Sequence, residues 1–359
     1  MNRPICAAFL SCGSDHLSDE EKYILERANP VGMALFARNI KNKTQLKNLI
    51  NEIKQVIGRQ DVLIAIDQEG GRVRRLTEPE FRPYAAQLEI GSLSEEKSKE
   101  AAKLHAKLIS TDLKEMGFNV NFAPVLDTRH QETTSSLYSR CLSSQPEKVA
   151  ALGKIMVETY IKSGILPCIK HLPGHGLAQT DPHLGLPVIN VPMETLNEEI
   201  FPFKECAFAP LGMTAHILIP NIDDQNPLTQ SKRGIQRLIR ETIGFNGLLV
   251  SDAIDMKALK GTIIEKAKKS LEAGCDCTCY CMGNTNELKA LSEFCPQLSD
   301  EATERLDKAI QILHNNQKLE TTSSEVERYA SLIGEIPPYQ ETYDATEVLN
   351  QLQKKDKLC

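Results

Sequence analysis

Residues 165–174 read Ile-Leu-Pro-Cys-Ile-Lys-His-Leu-Pro-Gly, an apolar run that closes on a lysine, a histidine and a turn. A strand buried on both faces reads this way, because neither face alternates with solvent. Seven other stretches share the form: PICAAFLSCG from Pro4, VGMALFARNI from Val31, DVLIAID from Asp61, VNFAPVLD from Val120, GMTAHILIP from Gly212, GLLVSDA from Gly247 and CDCTCYC from Cys275. Most are followed by a longer amphipathic stretch. In KTQLKNLINEIKQVI, Leu46, Leu49, Ile50, Ile53 and Ile57 fall on one helical face. Such alternation predicts an α/β fold, a closed (β/α)8 TIM-type barrel forming one domain over residues 1–319. An open Rossmann sheet would want G-x-G-x-x-G after its first strand, and FLSCGSDH does not supply it. The polar stretch 320–359 reads as a helical or partly disordered tail.

Composition narrows the function. The chain has 359 residues, 41% hydrophobic and 25% charged, which suits a globular protein with a real core. A net charge of -6 without a dense basic patch argues against nucleic acid and anionic membranes as partners. The start, MNRPICAAFLSCGS, is too short in its apolar run for a signal peptide, and no run approaches the ~18 apolar residues of a membrane span. A soluble cytoplasmic protein is expected. Eleven cysteines, an odd number scattered through apolar segments, predict reduced and buried thiols. In CDCTCYC, alternation predicts that Cys275, Cys277, Cys279 and Cys281 share one face as small hydrophobes rather than metal ligands.

A barrel gathers its chemistry just past the carboxyl ends of the strands. Polar groups stand at those ends: Asp67, Asp127, Lys170 with His171, His216 and Asp252. In AIDQEGGRVRRL, Gly70 and Gly71 allow a sharp turn, Asp67 and Glu69 bring acceptors, and Arg72, Arg74 and Arg75 bring forked donors. Carboxylate beside guanidinium is how a protein grips a polyol. At the end of GFNGLLVSDAIDM, Asp252 suits a carboxylate nucleophile, or else a cap for the helix that follows; Asp255 lies deeper in that helix. The stretch KHLPGHGLAQTDPH holds three of the eight histidines.

Taken together, these ordered motifs resemble glycoside hydrolase family 3, and within it the single-domain bacterial β-N-acetylglucosaminidases of peptidoglycan recycling. The resemblance spans DQEGGRV, NVNFAPVLD, SRCLSSQPEKV, KHLPGHG with DPHLGLP, MTAHILIP and GLLVSDAIDM. It implies a retaining exo-β-N-acetylglucosaminidase with Asp252 as nucleophile, His183 as general acid/base and Asp181 as its dyad partner. It further implies that Asp67, Arg75, Arg140, Lys170 and His171 bind the non-reducing-end sugar, that His175 holds the loop, and that Asp127 and His216 stand behind or beside the site. A neutral-range imidazole can give a proton to the leaving oxygen and take one from water, with Asp181 fixing its tautomer on an extended loop. No metal and no organic cofactor are required. The implied partner is a small carbohydrate or muropeptide, such as a GlcNAc-1,6-anhydroMurNAc peptide, acted on by a monomer. Where the family pattern has Ser, an aromatic and an acidic residue, this chain has Pro182, Leu172 and Ala253. Three other functions use the same residues: phosphorolysis at the same site, a metal-dependent hydrolase on His171, His175, His183 and Asp252, or a sugar-binding barrel without turnover.

Overall fold

The computed structural model describes residues 3–315 and 320–340. Eight strands, β1 (Cys6–Leu10), β2 (Pro30–Leu35), β3 (Leu63–Ile66), β4 (Val120–Asn121), β5 (Leu166–Leu172), β6 (Leu211–Thr214), β7 (Leu248–Ala253) and β8 (Cys277–Cys279), pair in parallel and in sequence order. The closing pair is β1 with β8, so the sheet is a barrel without an edge.

Every residue of these strands is buried, because side chains alternate between two cores. In β3, Leu63 and Ala65 point into the barrel while Ile64 and Ile66 meet the surrounding helices. Phe9 and Phe122 fill the interior edge to face, with centroids 5.7 Å apart. The helix Lys43–Ile57 buries Leu46, Leu49, Ile50, Ile53 and Ile57, the face read from its periodicity. At the amino ends of the strands, the helix Asp300–Asn315 packs Leu306 and Ala309 into the inner cluster.

Two runs are less regular than expected. The run from Val120 to Asp127 is a ladder only at Val120–Asn121; Pro124 has no N–H to donate, and pairing resumes where Val125 meets Lys170. The cysteine run is a strand only at Cys277–Cys279, which corrects the expectation of four thiols on one face. Cys277, Cys279 and Cys281 belong to the interior cluster, whereas Cys275, ahead of the strand, packs in the outer one. Period-two alternation holds only where the chain is extended. All ten cysteines among the described residues are free.

Beyond the barrel, the helix Ser323–Ile333 lies on the helix Glu95–Met116. Its Tyr329 hydroxyl is 2.7 Å from His105 Nδ1 and accepts the Ala85 N–H at 3.2 Å. His105 Nε2 in turn donates to the Glu69 carbonyl at 2.8 Å, so this helix braces the turn after β3. Residues 341–359 of the expected tail lie outside the described residues.

Burial pushes His105 and His175 down to about 4 from an ordinary 6.5. The unfolded chain takes up protons near 6.5, so between 6.5 and 4 it binds more of them and stability falls as pH drops. Each shift is worth about 3 kcal/mol across that window. His105→Gln therefore flattens the fall in urea midpoint between pH 6.5 and 4; an unaltered slope would refute the assignment.

Candidate active site

The site begins with the turn after β3. Gly70 has φ +103°, and a Cβ there would come within 2.0 Å of the Ala85 carbonyl oxygen. Only glycine fits, and the N–H and C=O of Gly70 pair with Val73 at 3.1 Å each. The turn sets Asp67 and Glu69 side by side above the strand.

Lys170, from β5, lies between them. Its Nζ donates to Asp67 Oδ1 at 2.7 Å and to Glu69 Oε1 at 2.6 Å. Arg140 grips Glu69 with both arms of its fork, Nε to Oε2 at 2.8 Å and Nη2 to Oε1 at 2.9 Å. Arg75 reaches Asp67 Oδ2 at 3.4 Å. Burial works to raise both carboxyls, but Lys170, Arg140 and Arg75 outweigh it and hold them below the ordinary range. Burial likewise works against the Lys170 ammonium, and Asp67 and Glu69 reverse it. Two anions and three cations thus leave one net positive charge at this wall of the pocket.

Lys170 and His171, joined by a cis peptide, both line the pocket. His171 Nδ1 donates to Asp127 Oδ2 at 2.7 Å, which leaves Nε2 to accept from Arg140 Nη2 at 3.5 Å. Asp127 is fully buried and also takes the N–H of His171 at 3.2 Å and of His175 at 2.7 Å. It fixes the start of the glycine-rich loop as well as one imidazole. Burial keeps His175 neutral, and its Nε2 has no hydrogen-bond partner among the described residues.

Across the pocket, β7 ends in Asp252. Its Oδ1 accepts the Ala253 N–H at 2.8 Å. Burial alone would raise this carboxyl; His216, His171, the Ala253 N–H and His183 outweigh it, so it stays ionised. Burial pushes the His216 imidazole down although Asp252 and the Ala253 carbonyl work to raise it; it lies behind the pocket, its Nε2 donating to the Ala253 carbonyl at 3.0 Å. Asp255 also lines the pocket, but its carboxyl is raised by burial and takes the Cys281 N–H at 2.9 Å.

The Asp-Pro-His segment is a turn rather than the extended loop expected. The N–H groups of Leu184 and Gly185 return to the Asp181 carbonyl at 2.9 and 3.2 Å, while Asp181 Oδ1 takes the His183 N–H at 2.9 Å. Asp in the first position and Pro in the second favour this geometry. The same Oδ1 accepts from His183 Nδ1 at 2.7 Å, leaving Nε2 for exchange. Pro182 has lost an N–H, yet its carbonyl accepts the Ala258 N–H at 3.1 Å, tying the loop to the segment after β7. Leu172 is fully buried in the outer core, away from the pocket.

All eight residues given a catalytic or sugar-binding role by the resemblance, Asp67, Arg75, Arg140, Lys170, His171, Asp181, His183 and Asp252, line this one pocket. Asp127 and His216 do not reach it. Glu69, read from its motif as an acceptor beside Asp67 but given no site role, anchors two of the eight, Arg140 and Lys170. Among the described residues, no group of three or more His, Cys, Asp or Glu side chains is arranged to hold a metal ion, and no helix is long and apolar enough to cross a membrane.

Residues 8–315 match the model of the glycosyl hydrolase family 3 N terminal domain. The chain belongs to glycoside hydrolase family 3. It is similar to a beta-hexosaminidase of Actinobacillus pleuropneumoniae serotype 3, 31% identical over 80% of this chain and 85% of that one. It is 30% identical to beta-hexosaminidase A of Pseudoalteromonas piscicida over 89% of its own length, and spans 56% of that longer protein. Native NagZ from Neisseria gonorrhoeae superposes with a TM-score of 0.81 at 28% identity, over 93% of this chain and 99% of that one. This family 3 barrel is a glycoside hydrolase of the β-N-acetylhexosaminidase type.

Breaking a buried ion pair strands its partners, at about 3–5 kcal/mol. Glu69→Gln leaves Arg140 and Lys170 short of one charge and lowers unfolding stability by that order in a urea titration. A midpoint within error of the parent would show the cluster to be dispensable.

Proposed function

We propose that the enzyme is a retaining exo-β-N-acetylglucosaminidase. What supports this is that the Asp252 carboxylate and the His183–Asp181 pair, 69 and more residues apart in the chain, line one pocket with five polyol-gripping side chains. In the first step Asp252 attacks the anomeric carbon and the glycosidic C–O bond breaks. His183 Nε2 gives its proton to the departing oxygen, with Asp181 stabilising the imidazolium through Nδ1. In the second step His183 takes a proton from water, whose oxygen replaces Asp252 at the same carbon. Two inversions give retention.

Asp67, Arg75, Arg140, Lys170 and His171 hold the non-reducing-end sugar and its 2-acetamido group. The loop from His175 to His183 closes over bound substrate and brings the imidazole to the leaving oxygen. The substrate class is β-linked GlcNAc at the end of peptidoglycan fragments, GlcNAc-1,6-anhydroMurNAc peptides, met in the cytoplasm. Relatives named beta-hexosaminidase, covered over most of their length, support the sugar; the fragment and the compartment rest on the resemblance.

With an aryl β-N-acetylglucosaminide, nuclear magnetic resonance should detect the β anomer first, at equal rates in phosphate and in a non-nucleophilic buffer. Asp252→Asn should slow turnover about 10³-fold or more. Initial α anomer would overturn the covalent route, and accumulation of a sugar phosphate would assign the site to phosphorolysis.

A further inference from the structure

Hydrolysis leaves the cysteines of the CDCTCYC run without a part, and two of them stand in the pocket itself. The Sγ atoms of Cys279 and Cys281 lie 3.6 Å apart, and both side chains line the pocket that holds Asp252. Their backbone is tied to the nucleophile's neighbours. Cys279 N–H donates to Ser251 Oγ at 3.0 Å, and Cys281 N–H donates to Asp255 Oδ1 at 2.9 Å. Ser251 Oγ in turn donates to the Asp252 carbonyl at 2.8 Å. The two sulfurs are therefore a fixed pair, set with Phe36 and Met213 in the apolar part of the lining.

A separation of 3.6 Å suits one soft atom bonded to both sulfurs; at a tetrahedral centre with bonds of ~2.3 Å, two sulfurs sit roughly 3.8 Å apart. A lasting metal site wants three or four protein donors, and no group of three suitable side chains is found among the described residues. Metal binding would also have to displace a proton that Cys281 holds firmly, since the Cys279 contact and burial both raise it. The ligand that fits needs two sulfurs only and reacts with S–H directly. Trivalent arsenic carrying one organic group has that valence.

We propose that Cys279 and Cys281 form a dithiol site for trivalent organoarsenicals, and that its occupant excludes the sugar. An arsenoxide, R–As=O, meets the two thiols. Two As–S bonds form, the As=O bond and both S–H bonds break, and the oxygen leaves with the two protons as one water. No oxidation state changes. The second bond is intramolecular, which makes the adduct far tighter than any single thiol could give. Exclusion of the sugar rests on the proposed function; formation of the adduct does not.

The test treats the full-length enzyme with one equivalent of phenylarsine oxide. Intact mass should show one phenylarsenic group with two thiols lost to titration, and peptide mapping should place it on Cys279 and Cys281. Turnover of the aryl N-acetylglucosaminide should fall by most of its value, return with 2,3-dimercaptopropanol but not with an equal concentration of a monothiol, and be protected by N-acetylglucosamine. Cys279→Ser and Cys281→Ser should each abolish the tight adduct in the mass measurement. No adduct on the native protein, or one on another pair such as Cys6 and its neighbour Cys295, would overturn the site. An adduct on the proposed pair with turnover intact would overturn the exclusion. A chain without hydrolytic activity would fail the proposed function while the mass measurement still decided the site.

Discussion

The Lys170 ammonium, buried between Asp67 and Glu69, is the contact on which the pocket depends. A buried charge is stable only when paired, and here one cation from β5 answers two anions from the turn after β3. Arg140 completes the pairing from the loop after β4. Removing any member strands the others, so three segments far apart in the chain are held to one geometry. In the proposed function a sugar hydroxyl entering this wall meets donors and acceptors already fixed in place, which limits the entropy lost on binding.

The two sides of the pocket are built on opposite electrostatic plans. The gripping wall is a dense network of fixed charges. Near Asp252 burial pushes the histidine behind the strand down, and its ring N–H is spent on the Ala253 carbonyl. Asp252 is held below the ordinary carboxylate range by the nearby imidazoles of His216, His171 and His183 and by the Ala253 N–H, with no direct salt bridge. That suits the nucleophilic role proposed for it, since a tightly paired carboxylate would be a poorer nucleophile. Asp181 and His183 are different again: local turn geometry makes their contact, and the tie from Pro182 to Ala258 carries it to the β7 side.

Much of this was legible because it is written in short-range pattern. Apolar runs ending in polar residues mark strands whose carboxyl ends meet at one mouth, and the Leu46 to Ile57 face is a helix period. Asp67, Arg75, Lys170, His171 and Asp252 could be named from strand ends and their loops, whereas Arg140, Asp181 and His183 were marked by the resemblance of their motifs to glycoside hydrolase family 3. Pairings across the chain were not legible. Glu69 meets Arg140 across 71 residues, and Asp127 meets His171 across 44; neither partner carries a local mark of the other. Local rules also failed where the backbone departs from regularity. Pro124 breaks β4 after Asn121, and Cys275 precedes β8, so alternation sent it to the wrong face. At Asp181 the turn chemistry of Asp-Pro overrode the extended reading.

In the proposed function Asp252 becomes bonded to the sugar while His183 manages the proton. A 5-fluoro derivative of β-N-acetylglucosamine with a good leaving group slows the second step, and the accumulated enzyme can be digested and its peptides sequenced by mass spectrometry. One glycosyl group is expected, on the side chain of Asp252. A label on Asp255, on a cysteine of the pocket or on no residue at all would contradict it.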